Sequence, residues 1–448
     1  MNILNTAKKI YFIGIGGIGV SALAKMMLHN GKEIKGTNDV ESPKTLNSLR
    51  KEGVQIFLDK EISHIDSDTD IIIYSIAWDQ SEKEFMEQVR SLDIPMFTYA
   101  EALGLISEDK YTVAVSGTHG KTTTTSMIAE ILIKAERHPT VIVGSIMCKV
   151  ESNFVAGEFA ENTKDKIDNL FVVEACEYGR SFLNLHPSVL VITNIEEEHL
   201  DYYKDIEDIQ NAFRKLVLKV PHDGFIVCNP NDPNVIPVLK EVLTEARPPS
   251  IIDYTKEDLS VSLSVLMGHN KQNARAALGA VRALGVPSAL ANQYLAKYSG
   301  TTRRQEYKGK TKNGVDVYDD YAHHPTEIKA TLRGFRERFK KRNIIVVFQP
   351  HLYSRTKTFL NDFAKSFSDA DEVIIADIYA AREINDGSIM AEDVVRIIKK
   401  YHSNVRYIGN LNEIKEYLAE SLEENDILIT MGAGDVYKVG EHTLGIEV

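Results

Sequence analysis

The densest chemistry in this chain is a lysine followed by a run of hydroxyls and entered through glycines: Val113–Ser126 reads VAVSGTHGKTTTTS. The apolar run Tyr111–Val115 predicts a buried strand, and Met127, Ile128, Ile131 and Leu132 then recur at a helical period. Strand, glycine loop and a helix opening on Lys-Thr-Thr make a cradle for nucleotide phosphates. Backbone N–H groups at the helix N-terminus point at the anion, and glycine lets the backbone come close. In such a cradle Lys121 reaches the β- and γ-phosphates and the Thr122 hydroxyl holds Mg2+. The loop is shorter than the usual G-x-x-x-x-G-K-[ST] spacing, because Gly117 and Gly120 enclose only Thr118 and His119. A bare G-K-T also occurs in plain surface turns; the strand before it and the helix after it favour an ATP or GTP site.

Further candidate groups lie at the predicted ends of apolar strands. FVVEACEYGRSFL brings a strand to Glu174, well placed to bind Mg2+ near a phosphate loop, with Glu177 as its competitor and a solvated strand end as the plain alternative. VLVITNIEEEHLDYY breaks at Asn194 and leads to Glu196, Glu197, Glu198 and His199, which is either a metal or phosphate contact or ordinary surface sequence. In MGHNKQNARAALGAVRAL, His269, Asn270 and Asn273 open an apolar helix; Asn270 and Asn273 share a face and read as purine recognition or as an N-cap with a polar first turn. Near the start, IYFIGIGGIGVSALAKMML sets Gly14, Gly16, Gly17 and Gly19 in a strand-to-helix turn. Asp39 follows at the distance expected of a ribose-binding acid, and a tight turn without ligand is the alternative. VYDDYAHHPTEI runs a strand into a dense polar cluster and then a helix opened by Pro325 and Glu327, and NIIVVFQPHLYSRTKTF brings a buried strand to Gln349, His351 and Arg355.

These groups need a scaffold, and 448 residues exceed what one core supports. Strands alternating with helical stretches predict an α/β chain of three domains: a Rossmann-like domain over 1–110, a P-loop-type ATPase domain over 111–300 and a second Rossmann-like domain over 301–448. The formal net charge of −12 argues against a nucleic-acid partner, whose binding would rest on basic patches. Cys148, Cys176 and Cys228 show no C-x-x-C spacing and suggest free thiols in a reducing compartment. No apolar run approaches the length of a membrane span, and the N-terminus carries no signal-peptide pattern, so a cytoplasmic protein without a membrane partner is expected.

Taken in order, GIGGIGVSALA, GTHGKTTTT, EACEYGRSFL, TNIEEEHLDYY, GHNKQNA, TTRRQE, DDYAHHPTE, FQPHLYSRT and GAGD resemble the Mur ligase family over the whole chain. The resemblance implies an ATP-dependent, ADP-forming amide ligase that joins L-alanine to the carboxylate of UDP-N-acetylmuramate through an acyl phosphate, with ATP and two Mg2+ ions. It implies phosphate contacts from Gly117, Thr118, His119, Gly120, Lys121, Thr122 and Thr123, and metal ligation by Thr122, Glu174 and His199. It further implies nucleotide contacts from His269, Asn270, Asn273, Arg304 and Asp320, and an amino-acid site at Tyr321, His323, His351 and Arg355. The UDP-sugar would be held by Ile15, Gly16, Gly17, Ile18, Gly19, Asp39 and Ser75. His199, His323 and His351 all remain candidates for the base that takes a proton from the amine. Two positions depart from the family pattern: Leu352 stands where Arg is common, and CEYGR replaces a DES-type run. Lys215 lies near the place where other branches carbamylate a lysine, a device not expected here. The competing expectations are a murein-peptide recycling ligase of the same family, a catalytically silent nucleotide-dependent regulator, and, from the glycine turn alone, an NAD-dependent dehydrogenase. A monomer or a homodimer is expected.

Overall fold

The computed structural model describes residues 2–41, 43–158, 169–200, 202–261, 270–381, 383–385 and 387–446. They form three sheets distributed over two compact units, 1–261 with 272–298 and 262–271 with 299–448.

The first unit contains two sheets. Strands β1 (Lys9–Ile13), β2 (Glu33–Thr37), β3 (Gln55–Phe57), β4 (Ile71–Tyr74) and β5 (Met96–Thr98) are all parallel, in the order β3-β2-β1-β4-β5. Successive residues of β1 feed opposite layers: Ile10 and Phe12 join one apolar cluster, Tyr11 and Ile13 the other. Burial on both faces is why the strand reads as an unbroken apolar run. The second sheet comprises β6 (Tyr111–Ser116), β7 (Thr140–Met147), β8 (Ser152–Val155), β9 (Leu170–Glu174), β10 (Val189–Ile192), β11 (Phe225–Cys228) and β12 (Ser250–Asp253). Its order is β12-β11-β10-β6-β9-β7-β8, with β7 and β8 antiparallel and every other pair parallel.

One apolar cluster runs from the first sheet into the second, through Ala102, Leu103 and Ile106 to Phe182 and Leu185. The helix Tyr99–Glu108, opened by a Thr98–Glu101 capping box, meets the segment 178–186, where the His186 N–H donates to Ser107 Oγ at 3.0 Å. A second tie joins β8 to the helix Ile18–His29. The Asn153 amide, 1 % exposed, donates to the Ile18 carbonyl at 2.6 Å and to Ser21 Oγ at 2.9 Å, and accepts from the Lys25 ammonium at 3.2 Å.

In the second unit, β13 (Glu306–Lys310), β14 (Asp316–Asp320), β15 (Ile344–Phe348), β16 (Glu372–Ile375), β17 (Val405–Tyr407) and β18 (Ile427–Met431) are ordered β13-β14-β18-β15-β16-β17, with only β13 antiparallel among them. Val346 and Phe348 pack on one face of β15, Ile345 and Val347 on the other, again between two apolar layers.

Candidate functional site

In the second sheet β6 lies between β10 and β9, so chain connections leave its neighbourhood in both directions and open a crevice at the strand ends. The loop Gly117–Gly120 fills that position, and the helix Lys121–Lys134 starts from it. Gly120 has φ +84°, and a Cβ there would come 2.2 Å from Asn273 Oδ1, so glycine is required both by conformation and by space. The segment after β10 braces the loop: the Asn194 side chain accepts from the His119 N–H at 2.9 Å and donates to the His119 carbonyl at 3.0 Å. Thr118 Oγ1 accepts from the Glu196 N–H at 2.8 Å, and His119 Nε2 lies 3.7 Å from Glu196. Thr122 and Thr123 are buried in the first turn of the helix.

Lys121 folds back over the loop. Its ammonium donates to the carbonyls of Gly117 (2.6 Å) and Thr118 (3.0 Å) and pairs with the Glu177 carboxylate at 2.9 Å. Burial works most strongly against its charge, but the Glu177 carboxylate, joined by Cys176 and Glu174, offsets it and the lysine's pKa is raised. Glu177 also lies 3.7 Å from His199 Nε2, and the Tyr178 ring meets the His199 ring edge-on. Glu174 is directed elsewhere: its carboxylate accepts from the Gly144 N–H at 2.8 Å. Among the two acids considered in the sequence, Glu177 is therefore the one the structure brings to Lys121 and His199. Carboxylate and hydroxyl oxygens are the hard donors that Mg2+ takes, whereas an imidazole is the softer ligand of the set. This donor set fits the cation that accompanies a nucleotide phosphate.

In the first sheet the glycine turn follows β1, beside β4. Gly16 is buried and its N–H donates to Asn38 Oδ1 at 2.9 Å, whereas Gly17 and Ile18 are exposed at the start of the helix Ile18–His29. Asp39 is exposed; the side chain that enters the loop is Asn38, which sequence reasoning passed over. Its position directly after β2 was the available signal. A Cβ on Gly14 would lie 2.6 Å from the Trp78 indole Nε1, and Ser75 caps the short helix carrying that tryptophan. No side-chain contact fills Ser75's capping role.

The second unit gathers the residues expected around an amino acid. Two guanidinium groups, of Arg303 and Arg304, each lie 5.0 Å from the Tyr321 ring centroid. His323 stands edge-on to Tyr321 and to His351, and Arg355 Nη1 lies 3.1 Å from His351 Nδ1. Tyr379 stacks on His351, and Glu327 lies 3.5 Å from His323. Tyr379 was not singled out from sequence, and Glu327 was read there only as opening a helix. Asp320, fully inside at the end of β14, accepts from the Ala322 N–H at 2.9 Å and from the Thr331 hydroxyl at 3.1 Å. Burial pushes its carboxyl up to about 7, against the pull of the Arg304 charge and the two hydrogen bonds. Arg304 also lies 3.9 Å from Glu327. Leu352, where an arginine was expected, is buried with φ +68°, and its N–H donates to the Tyr379 carbonyl at 2.9 Å. Arg355 is thus the guanidinium that meets His351. Asn270 donates to Gln305 Oε1 at 3.0 Å, Asn273 crosses Gly120, and His269 lies outside the described residues.

Comparison with known proteins adds to this geometry. Residues 9–111 match the Mur ligase family catalytic domain, 115–278 the Mur ligase middle domain, and 303–434 the Mur ligase glutamate ligase domain. The UDP-N-acetylmuramate–L-alanine ligase of Caldanaerobacter subterraneus subsp. tengcongensis is 40% identical, covering 98% of both chains. The chain belongs to the Mur ligase family. Another relative, the UDP-N-acetylmuramate–L-alanine ligase of Acetivibrio thermocellus, is also 40% identical, over 98% of this chain and 96% of its own. Among solved Mur ligase structures, the UDP-N-acetylmuramate-alanine ligase MurC of Thermotoga maritima superposes with a TM-score of 0.79 at 26% identity, covering 98% of both chains. A murein peptide ligase from Psychrobacter arcticus shares the fold at a TM-score of 0.71 and 21% identity, over 98% of this chain and 99% of that one. The three-domain α/β architecture of a Mur ligase is therefore that of this chain. No described helix is long and apolar enough to cross a membrane.

Proposed function

We propose that this chain is an ATP-dependent ligase that joins L-alanine to the carboxylate of UDP-N-acetylmuramate, releasing ADP and phosphate in peptidoglycan precursor synthesis. The observation that carries the reading is near-full-length identity of 40% to ligases of that name, in a chain whose GTHGKT loop holds its lysine over the phosphate cradle. The stretches 1–110, 111–300 and 301–448 would bind the sugar nucleotide, ATP and the amino acid, in the cytoplasm.

A carboxylate is a poor acyl donor. Its oxygen attacks the γ-phosphorus of ATP, the bond to ADP breaks, and an acyl phosphate forms. The alanine amine then adds to the acyl carbon, phosphate leaves with the electron pair of the C–O bond, and the amine's proton passes to a base. Phosphoryl transfer of this kind needs charge neutralisation and in-line geometry more than covalent help. Mg2+, as two ions, supplies positive charge to the phosphate oxygens when bound. Lys121 would move its ammonium from the loop carbonyls to those oxygens, while Thr122, Glu177 or Glu174, and His199 hold the metal. The N–H groups of Ile18 and Gly19 at the helix N-terminus suit the sugar diphosphate. In the second unit Arg355 would take the alanine carboxylate, with His323 and His351 beside it as bases for the amine. Arg304 and Asp320 would serve the nucleotide.

The test is phosphate release from ATP, with each substrate omitted in turn and with single amino acids or a murein tripeptide as acceptor. Release requiring both UDP-N-acetylmuramate and L-alanine is expected. Lys121→Ala is expected to abolish it while leaving sugar-nucleotide affinity within a few-fold. Release that answers only to the tripeptide, or silence with every acceptor, would overturn the assignment.

A further inference from the structure

The second unit carries two arginines with like surroundings at opposite ends of β14. Arg342 meets the start of the strand: its guanidinium donates to the Asp316 carboxylate at 2.5 Å and to the carbonyls of Asn425 and Asp426 at 2.5 and 2.8 Å. Arg303 meets the other end. Its Nε donates to Asp319 Oδ2 at 3.0 Å and its Nη2 to the Gly432 carbonyl at 2.6 Å, with the Ala433 carbonyl 3.5 Å from Nη1. Asp319 is buried, and burial raises its pKa although the Arg303 charge pulls the other way.

The two arginines differ in what they fix. The Tyr321 and Tyr437 ring centroids lie 5.0 and 4.7 Å from the Arg303 guanidinium. The Arg303 backbone is left-handed, at φ +60°, and its carbonyl accepts from the Tyr321 N–H at 2.7 Å. Such backbone is disfavoured at a non-glycine residue and persists only where neighbours enforce it. The loop that Arg303 grips, Gly432–Asp435, has little room to shift. A Cβ on Gly434 would lie 2.4 Å from Gln349 Oε1 and 2.8 Å from the Tyr379 ring, and Tyr379 stacks on His351. One guanidinium thus touches Tyr321 directly and reaches His351 through the loop and Tyr379.

We propose that Arg303 is a positioning residue for the amino acid that receives the acyl group, holding Tyr321 and the Gly432–Asp435 loop so that Tyr321, His323, His351 and Arg355 converge on one acceptor. The inference rests on the function proposed above. A pocket assembled before its ligand arrives binds more tightly than one that must be ordered on binding. Lysine at this position keeps the charge but loses the planar fork and the stacking face, so the loop carbonyls and both rings are held less firmly.

Phosphate release by the full chain, with L-alanine, ATP and UDP-N-acetylmuramate varied in turn, tests this. Arg303→Lys is expected to raise the KM for L-alanine about tenfold, the scale of one charge-assisted hydrogen bond, with the other two KM values within about twofold of the parent. Loss of folded protein alone would lower the rate and leave these constants where they are. Arg342→Lys alters the matching guanidinium at the far end of β14 and should leave the L-alanine KM within about twofold. Tyr437→Leu removes one ring from Arg303 and should raise that KM about threefold, which tests the same contact where Arg303→Lys does not fold. The inference is overturned if Arg303→Lys, or Tyr437→Leu in its place, keeps the L-alanine KM within about twofold, if Arg342→Lys moves it as far, or if all three KM values rise together. Phosphate release by the parent that does not depend on L-alanine would instead overturn the functional assignment on which the inference stands.

Discussion

Asp320 shows how burial sets chemistry at single residues. Its carboxyl, pushed up to about 7, binds a proton in the folded chain through a pH range where the unfolded chain, near 3.8, has released it. The folded form therefore gains protons relative to the unfolded one between those values, and stability falls as pH rises through the window. Asp320→Asn keeps an acceptor for Ala322 and a group facing Thr331 but cannot ionise. Its stability relative to the parent is expected to climb from pH 4 to 7 and level off above, measured by urea midpoints; a flat difference would refute the burial argument. Residue types were the most legible part of the site. Lys121, His199, His323, His351 and Arg355 were marked in the sequence by their place after apolar strands, and each stands in a cluster in the fold. The choice of Glu177 over Glu174 as partner of Lys121 was not legible. Glu174 ends β9 and Glu177 lies three positions on, past the strand, and side-chain direction there follows from backbone angles that composition does not encode.

At the scale of elements, strands were readable where both faces are buried, because the whole run is then apolar: β1, β6, β10 and β15 are such strands. Short edge pieces and turns were less so. The left-handed residues Arg180, His199 and Leu352 carry no compositional sign, since such turns usually announce themselves by glycine or asparagine. The β7–β8 hairpin was also silent in the sequence, although Asn153 on β8 spends its whole amide on the helix Ile18–His29. Asn153→Ala would leave the buried Lys25 ammonium and the Ser21 hydroxyl each short of one partner, a loss of about 1–3 kcal/mol. The expected result is faster amide hydrogen exchange along Ile18–His29 with little change in Ile206–Val217. Equal acceleration in both helices would mean general destabilisation instead of a local strap.

At the scale of the whole chain, three sheets followed from length and from the alternation of strand and helix patterns, but their grouping did not. The first two sheets share one apolar cluster and form a single compact unit, because the helix Tyr99–Glu108 and the strap at Asn153 bury surfaces that sequence alone leaves unassigned.

The lone tryptophan lies under the glycine turn of the first sheet, 5 % exposed, with its indole against Gly14 and its ring 5.7 Å from Phe85. All indole emission from the molecule thus originates at one turn. A sugar nucleotide settling on that turn is expected to change the intensity or colour of this emission in proportion to occupancy, while ATP entering the other sheet leaves it dark to the event. Titrating each ligand separately while recording fluorescence would show whether the optical signal belongs to one substrate alone.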